Sequence, residues 1–246
     1  MALPENLEAL HAKEEQIREL SLHAISESHE LTAHVAAIHE ALDLLTLFGR
    51  LEFARDSKEQ PLQLIALRLL NNASSVLKLG LSGYYQTATH LLRDKLELVN
   101  LLDLFSVEPD KLEIWRSADE ETIRRQFGAS KVRLAIERHA QFAGQRRDGL
   151  YRVFSVYAAH PTYQGFRLIS PGGAPQLGCF FSEALLGAVL IEEARHLSHA
   201  TLGLSDLFEG LSHEVEVAQI RFVDGLRAYF EKHMRPYRAS DGAEEG

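Results

Sequence analysis

The sequence predicts an all-α fold, a multi-helix bundle of seven to nine helices with one irregular loop or small hairpin near residues 160–178. Apolar residues recur at three- and four-residue steps along most of the chain, which is the period of an amphipathic helix. Glycine and proline are few, 16 and 7 among 246 residues, as is typical of helical proteins. The connections between the long helical patterns are short, which favours antiparallel packing of neighbours in a bundle.

The first helical pattern runs from about residue 6 to residue 56 and contains no proline. The apolar stripe thins between Ser26 and Ser28, where serine side chains compete with the helical backbone for hydrogen bonds. The pattern therefore predicts either one long helix or two helices in line.

The next two helices have clear boundaries. Pro61 suits the first turn of a helix that runs to about Leu79. Ser82 is a candidate cap for the following helix, and Pro109 stands beyond its end. The apolar residues of this second helix cover about half of its circumference, which predicts packing against at least two neighbours. Lys95 lies within that apolar arc, so it must either extend to solvent or meet an acid.

Shorter helices are predicted next, at about residues 110–115, 118–128, 130–143 and 146–159. Pro161 disfavours helical geometry at the residue before it, so the last of them should end at His160. The stretch FRLISPGGAPQLGCFF, residues 166–181, indicates a small hairpin or an ordered loop. The helical pattern returns from Ser182 to about Gly203, and a final amphipathic helix follows.

These elements suggest three parts. We expect residues 1–58 to form an N-terminal helical arm or hairpin, and residues 59–235 to form the core of the bundle. The tail, residues 236–246, is polar and acidic, and we expect it to be disordered.

Composition narrows the classes of function. The net charge of −9 gives no general electrostatic footprint for nucleic acid, although a local basic patch would still be compatible with RNA. The start of the chain, MALPENLEAL, lacks the features of a secretory signal. The longest continuous apolar stretch, residues 184–191, is far shorter than the roughly 18 residues of a membrane span. We therefore expect a cytoplasmic protein with no membrane partner.

The single cysteine, Cys179, excludes an internal disulfide and any zinc site with several cysteines. It stands beside two phenylalanines, which favours a small buried hydrophobic residue over a nucleophile. The sequence also lacks the glycine-rich phosphate loop, the dinucleotide fingerprint and the nucleophile elbow. We expect no cofactor.

The twelve histidines prompt a search for metal sites. His29 and His34 are five residues apart and about 140° out of line on a helix, so they do not form the zinc-protease motif. We interpret them as solvated or capping residues. Glu192, His196 and His199 share one stripe of a helix, and carboxylate and imidazole are metal ligands. The alternative is that this stripe faces solvent, with Glu192 and His196 an ordinary surface pair.

The helix after Ser82 carries a polar line opposite its apolar arc, formed by Gln86, His90, Arg93, Glu97 and Asn100. This line either faces solvent, with Arg93 and Glu97 an exposed pair, or forms half of an interhelical site. In the second case we expect it to face Tyr151, Ser155 and His160, which follow one another along the helix that ends before Pro161.

Two spaced motifs carry a resemblance to a known family. Tyr-x-x-x-Ser-x-x-x-x-His-Pro spans residues 151–161, and Tyr, Arg and Glu at 85, 93 and 97 precede it. Over about residues 60–175, roughly half of the chain, this pattern resembles a bacterial all-helical family of unknown function that is loosely HEPN-like. The resemblance implies an all-helical core and marks Arg93, Glu97, Tyr151, Ser155 and His160 as candidate catalytic or binding residues. It implies no settled activity, cofactor or substrate.

These observations leave three hypotheses. The first is a helical binding or interaction protein, a candidate homodimer, whose polar cluster stabilises the bundle or binds a partner.

The second is a HEPN-like ribonuclease or toxin-type enzyme, in which arginine steadies a phosphate and histidine transfers a proton. Its residues would be Arg93, Glu97 and His160, or else Arg133 and His139. It requires a local basic patch, and residues 123–133 and 144–147 could provide one. The third is a metal protein that uses Glu192, His196 and His199.

Overall fold

The computed structural model describes residues 4–53, 57–142 and 147–233, and in these residues the chain is all-helical with no β-strand. The all-α class is confirmed. The described residues form ten α-helices rather than seven to nine; the segment between residues 108 and 182 has the four short helices that the sequence pattern separates, and the first helical pattern divides into two helices. The predicted tail, residues 236–246, lies outside the described residues. The helices are α1 (Glu5–Glu27), α2 (His29–Arg50), α3 (Gln60–Leu81), α4 (Tyr85–Val107), α5 (Asp110–Ser117), α6 (Glu120–Thr122), α7 (Ala129–Ile136), α8 (Arg147–Phe154), α9 (Glu183–Ser205) and α10 (His213–His233).

A break at Ser28 divides the first helical pattern into α1 and α2. Ser28 has an extended backbone, with φ −112° and ψ 114°, and its hydroxyl accepts a hydrogen bond from the backbone N–H of Leu31 at 3.3 Å. A serine that caps a helix in this way satisfies one of the unpaired donors at its N-terminus. Of the two alternatives predicted for this pattern, the structure shows two helices with a break at Ser28.

The corner between α3 and α4 differs from the prediction. Ser82 is the C-terminal cap of α3, and the residue before α4 is Tyr84. Gly83 lies between them with φ +81°, and a Cβ at this position would lie 2.2 Å from the carbonyl oxygen of Phe180. The turn therefore requires glycine for its backbone conformation and for the close approach of another segment.

The core is built around α9, which packs against α2, α3 and α4. Apolar residues from α2 to α10 form one continuous buried cluster. The helix α10 packs mainly along α2, at the edge of the bundle. Because α9 has helices on several sides, much of its surface is buried, including positions that carry polar side chains.

Residues 123–182, the part of the segment between α4 and α9 that follows α6, form a layer over α4, through contacts of α7, α8 and the turns that follow α8. The helix α8 continues as a π-helical turn, Ser155–Ala159, and ends at His160 as predicted. Residues 161–182 follow as an irregular loop with two short 3₁₀ turns, Gly165–Ile169 and Pro171–Gly173, and they contain no strand. The loop alternative is thus correct and the hairpin alternative is wrong.

In the described part of the chain, α2 is long and apolar enough to cross a membrane by length and composition, with a hydropathy of 1.3. No continuous apolar run marks this helix, because polar residues interrupt its sequence. It packs against α3, α9 and α10, and core helices meet the same criteria, so the finding is weak evidence for a membrane span.

Candidate functional site

Four of the five candidate site residues meet where α8 crosses α4. The guanidinium of Arg93 donates from Nε to Ser155 Oγ at 3.1 Å, and its Nη2 donates to the hydroxyl of Tyr151. That hydroxyl in turn donates to Glu97 Oε1 at 3.1 Å, and Arg93 Nη2 lies 3.1 Å from the same oxygen. The polar groups of the cluster therefore satisfy one another across two helices.

Two arginines also contact the ring of Tyr151. The guanidinium carbon of Arg93 lies 4.7 Å from the ring centroid, and that of Arg133 lies 4.0 Å from it. A cation over the face of an aromatic ring is attracted by the ring quadrupole. Tyr151 thus joins α7, α4 and α8 through one side chain.

His160 does not join this cluster. Its backbone N–H donates to the carbonyl of Ser155 at 2.9 Å and ends the π-helical turn, while its side chain is exposed. Among the described residues, none forms a hydrogen bond or ion pair with the His160 imidazole. The backbone before Pro161 is extended, with φ −105° and ψ 145° at His160. His160 therefore no longer follows the helical face that carries Tyr151 and Ser155.

The second arginine and histidine pair is also separated. Arg133 is buried over Tyr151, whereas His139 Nε2 contacts Glu108 Oε1 at 3.1 Å. The two side chains therefore contact different residues, Tyr151 and Glu108.

The proposed metal ligands on α9 do not converge. His196 Nε2 lies 3.2 Å from Glu192 Oε2, but His199 Nε2 instead contacts Asp103 on α4 at 3.1 Å. Glu192 is further engaged by Arg195 at 2.6 Å. In residues 4–53, 57–142 and 147–233, no three histidine, cysteine or acidic side chains are placed to hold a metal ion.

The interpretation of this stripe as a solvent-facing surface is wrong for His196, whereas the His199 side chain is 43% exposed. His196 is buried and packs edge-on against Phe154, with ring centroids 5.8 Å apart. Burial lowers the pKa of His196, although Glu192 opposes that shift. Burial raises the pKa of Glu192, but His196 and Arg195 outweigh it, so the net pKa is below its usual value. Phe154 of α8 thus covers His196, while Glu192 and His199 on the same stripe are 23% and 43% exposed.

A buried ion pair lies between α4 and α9. Lys95 donates to Glu193, and both side chains are completely buried. Burial lowers the pKa of Lys95, and the charge of Glu193 opposes this effect. Two outcomes were predicted for Lys95, extension to solvent or contact with an acidic side chain, and the structure shows the contact with an acid. The identity of that acid was not predicted, because glutamates are frequent and only the helix contact selects Glu193.

A second buried polar contact joins α2 to α10. His34 Nδ1 shares a hydrogen bond of 2.7 Å with the hydroxyl of Tyr229, and Tyr229 also stacks on His233. Burial lowers the pKa of His34 and raises that of Tyr229 to about 12. The interpretation of His34 as a solvated residue is therefore wrong. Its position on the same face as Leu31 and Ile38, both buried, was the signal that the sequence offered.

The layer over α4 has a charge opposite to that of the remainder of the chain. Residues 123–182 contain nine lysines and arginines and two acids, which gives them a net charge of +7. The net charge of the whole chain is −9, so all other residues together have a net charge of −16. Six of these basic side chains are exposed and form no ion pair with another described residue. They are Arg124, Arg125, Lys131, Arg138, Arg152 and Arg167. The predicted patch at 123–133 is thus partly present, while residues 144–146 lie outside the described residues.

The loop after His160 adds aromatic side chains to the same layer. Tyr163 is 89% exposed and Phe166 is 44% exposed. They line a cavity of about 560 Å³ together with Arg167, Ser170 and Leu185. Large aromatic side chains usually lie inside a protein, so an open pair beside an arginine indicates a surface for a ligand.

Cys179 is fully buried, which confirms its interpretation as a small hydrophobic residue.

Comparison of the chain with protein-family models, curated proteins and solved structures finds no match. The resemblance to a HEPN-like helical family therefore stays a prediction.

Proposed function

We propose that this chain is a helical binding protein, and that its layer at residues 123–182 binds single-stranded RNA. The observation that carries the proposal is the net charge of +7 in this layer, against −16 for all other residues. A phosphate backbone is attracted to a local excess of lysine and arginine. The acidic remainder of the chain would direct such a polymer to this layer.

The exposed aromatic side chains favour a single strand over a duplex. Tyr163 and Phe166 are open to solvent beside Arg167. Unpaired bases stack on aromatic rings, whereas the bases of a duplex are already stacked on one another. The pattern of cations and aromatic residues therefore suits an extended strand with accessible bases.

The cluster of Arg93, Glu97, Tyr151 and Ser155 supports binding rather than catalysis. Its hydrogen bonds run between its own members. A catalytic group needs a free donor or acceptor within reach of the substrate. In this proposal the hydrogen bonds of the cluster fix α8 against α4, and α8 carries the exposed Arg152.

The ribonuclease alternative is favoured by one observation, the exposed imidazole of His160 beside the aromatic loop. A histidine at that position can transfer a proton to or from RNA bound on the layer. In this alternative the protein binds the same ligand through the same surface and also cleaves it.

Fluorescence anisotropy of a labelled single-stranded RNA of about 20 nucleotides tests the proposal. We expect salt-dependent binding, with a steeper slope for the unaltered protein than for Arg167→Glu, by about one unit for each phosphate that Arg167 binds. Tyr163→Ala should weaken binding severalfold, whereas Tyr163→Phe should retain it, because stacking needs only the ring.

The matched control is Arg227→Glu, which makes the same change of charge on the exposed side of α10. Equal weakening by Arg227→Glu and Arg167→Glu, or no binding at low salt, would reject the proposal. Gel analysis of the same mixtures separates the alternatives. Cleavage that is lost in His160→Ala supports the ribonuclease, and intact RNA supports binding alone.

A further inference from the structure

We infer that the face formed by α2 and α10 is the docking surface for a second copy of this chain. The two helices border a groove of about 760 Å³. This surface is separate from the layer at residues 123–182, since α10 packs mainly on α2 and that layer packs on α4. The inference therefore stands independently of the RNA proposal.

The groove is apolar on both sides. Small side chains of α2, those of Ala33, Ala36 and Ala37, line one side. On the other side α10 presents Val217, which is 41% exposed, and Ile220, which is 64% exposed. Because the alanine side chains of α2 are small, space remains between them and the branched side chains of α10, and side chains of another helix can enter it. Burial of this surface would contribute free energy to association.

The charges around the groove suit a copy of the same surface. Acidic and basic residues both line it, namely Glu40, Asp224, Arg221 and Lys232. In a two-fold dimer the same patch occurs on both partners, so the patch must carry both signs to be complementary to itself. Elsewhere the chain outside residues 123–182 is strongly acidic, and two such surfaces repel each other.

The area of the face is sufficient for a dimer. Helices of 22 and 21 residues are about 30 Å long, and two helices side by side cover a width of about 20 Å. Such a face buries about 600 Å² on each copy, or about 1,200 Å² in total, at the lower limit of stable interfaces.

The chain that follows α10 is a poor occupant for the groove. Residues 234–246, MRPYRASDGAEEG, contain only Met234 and Tyr237 as large apolar residues, and they carry three acids and two arginines. A polar segment of this kind cannot replace the apolar contacts that the groove offers. A second α2 and α10 pair supplies the matching apolar surface.

Sedimentation equilibrium of the full chain tests the inference. We expect a dimer at micromolar concentrations, and at least a tenfold increase in the dissociation constant for Ile220→Asp. The control is Leu64→Asp on α3, which changes a side chain that is 53% exposed outside the groove and should leave the constant within twofold. Circular dichroism establishes that both variants remain folded.

A thiol placed in the groove gives a second measurement. Cys179, the single cysteine, is buried, and a Cβ at Gly225 would meet no atom within 4 Å. Gly225→Cys should therefore react with a short bifunctional maleimide to give a covalent dimer, and Leu64→Cys should not. A full chain that stays monomeric at about 200 µM would overturn the inference and leave the groove to residues 234–246 or to another protein. Equal effects of Ile220→Asp and Leu64→Asp would overturn it as well.

Discussion

Lys95 and Glu193 form an ion pair between α4 and α9 in which both side chains are completely buried. Within the described residues, the second carboxylate oxygen of Glu193 has no hydrogen-bond partner. Removing two charges from water is costly, and the mutual attraction compensates for it only when the remaining polar atoms are also satisfied. The pair therefore orients α4 against α9 without being a strong source of stability.

The first prediction concerns the two ways of removing this pair. Lys95→Ala leaves an unpaired carboxylate in the core and should lower the free energy of unfolding by about 3–5 kcal/mol. The double variant Lys95→Met, Glu193→Leu removes both charges and should be neutral or stabilising relative to the unaltered protein. Urea denaturation measures both changes.

Arg68→Ala is the matched control, because Arg68 pairs with Asp94 at 2.7 Å on the surface. Its cost should be below about 1 kcal/mol, since exposed ion pairs contribute little. A double variant that is as unstable as Lys95→Ala would contradict the account of the buried pair.

The second prediction concerns the hydrogen-bonded cluster that joins α4 and α8. Tyr151→Phe removes the hydroxyl that accepts from Arg93 and donates to Glu97, but retains the ring beneath Arg133. We expect a loss of about 1–3 kcal/mol, because hydrogen bonds to charged groups contribute more than neutral ones. Thermal and urea denaturation measure the loss.

His160→Ala should change the free energy of unfolding by less than about 0.5 kcal/mol, because the side chain is exposed. Tyr163→Phe is the control for loss of a hydroxyl at an exposed site. If Tyr151→Phe is no more destabilising than Tyr163→Phe, the cluster does not stabilise the packing of α8 against α4.

The third prediction is that stability falls as the pH decreases from about 7.5 to about 5.5. Burial lowers the pKa of His34 and of His196 in the folded protein. The unfolded chain therefore binds protons at a pH where the folded chain does not, which favours unfolding. The slope is at most about 1.4 kcal/mol per pH unit for each histidine. Denaturation curves across this range measure it.

His34→Asn isolates one of these two contributions, because the asparagine side chain can keep a hydrogen bond with Tyr229 but does not titrate. Glu30 raises the pKa of His34, while His233 and Arg195 lower it, and all three remain in the variant. We expect a shallower pH dependence for His34→Asn than for the unaltered protein. An unchanged slope would show that His34 titrates normally when folded.

The fourth prediction concerns the corner before α4. Gly83→Ala places a Cβ within 2.2 Å of the carbonyl oxygen of Phe180 at a φ of +81°, and we expect a loss of at least about 2 kcal/mol. Gly210→Ala has a similar φ of +64° but meets no neighbouring atom, so its loss should be about 1 kcal/mol. Equal losses would mean that the contact with Phe180 relaxes without cost.

Local sequence was sufficient for most helix boundaries, because caps and prolines act within one turn of the chain. The break at Ser28, the end at His160 and the start after Ser182 follow from such local rules. The candidate cap at Ser82 was wrong because Gly83 opens the corner and permits the approach of Phe180. Phe180 follows Gly83 by nearly one hundred residues along the chain, so no local rule identifies this contact.

The sequence by itself determined the all-helical class and the polar lines on α4 and α8, because both depend on a period of 3.6 residues. It could not show that the exposed His160 forms no hydrogen bond or ion pair with Arg93, or that Glu193 is the partner of Lys95. It also left the stripe of His196 between a metal site and a solvent-facing surface, whereas His196 is buried against Phe154. Only the tertiary structure decided these points, because a helical period gives the angle of each side chain around its own axis but not what lies opposite it.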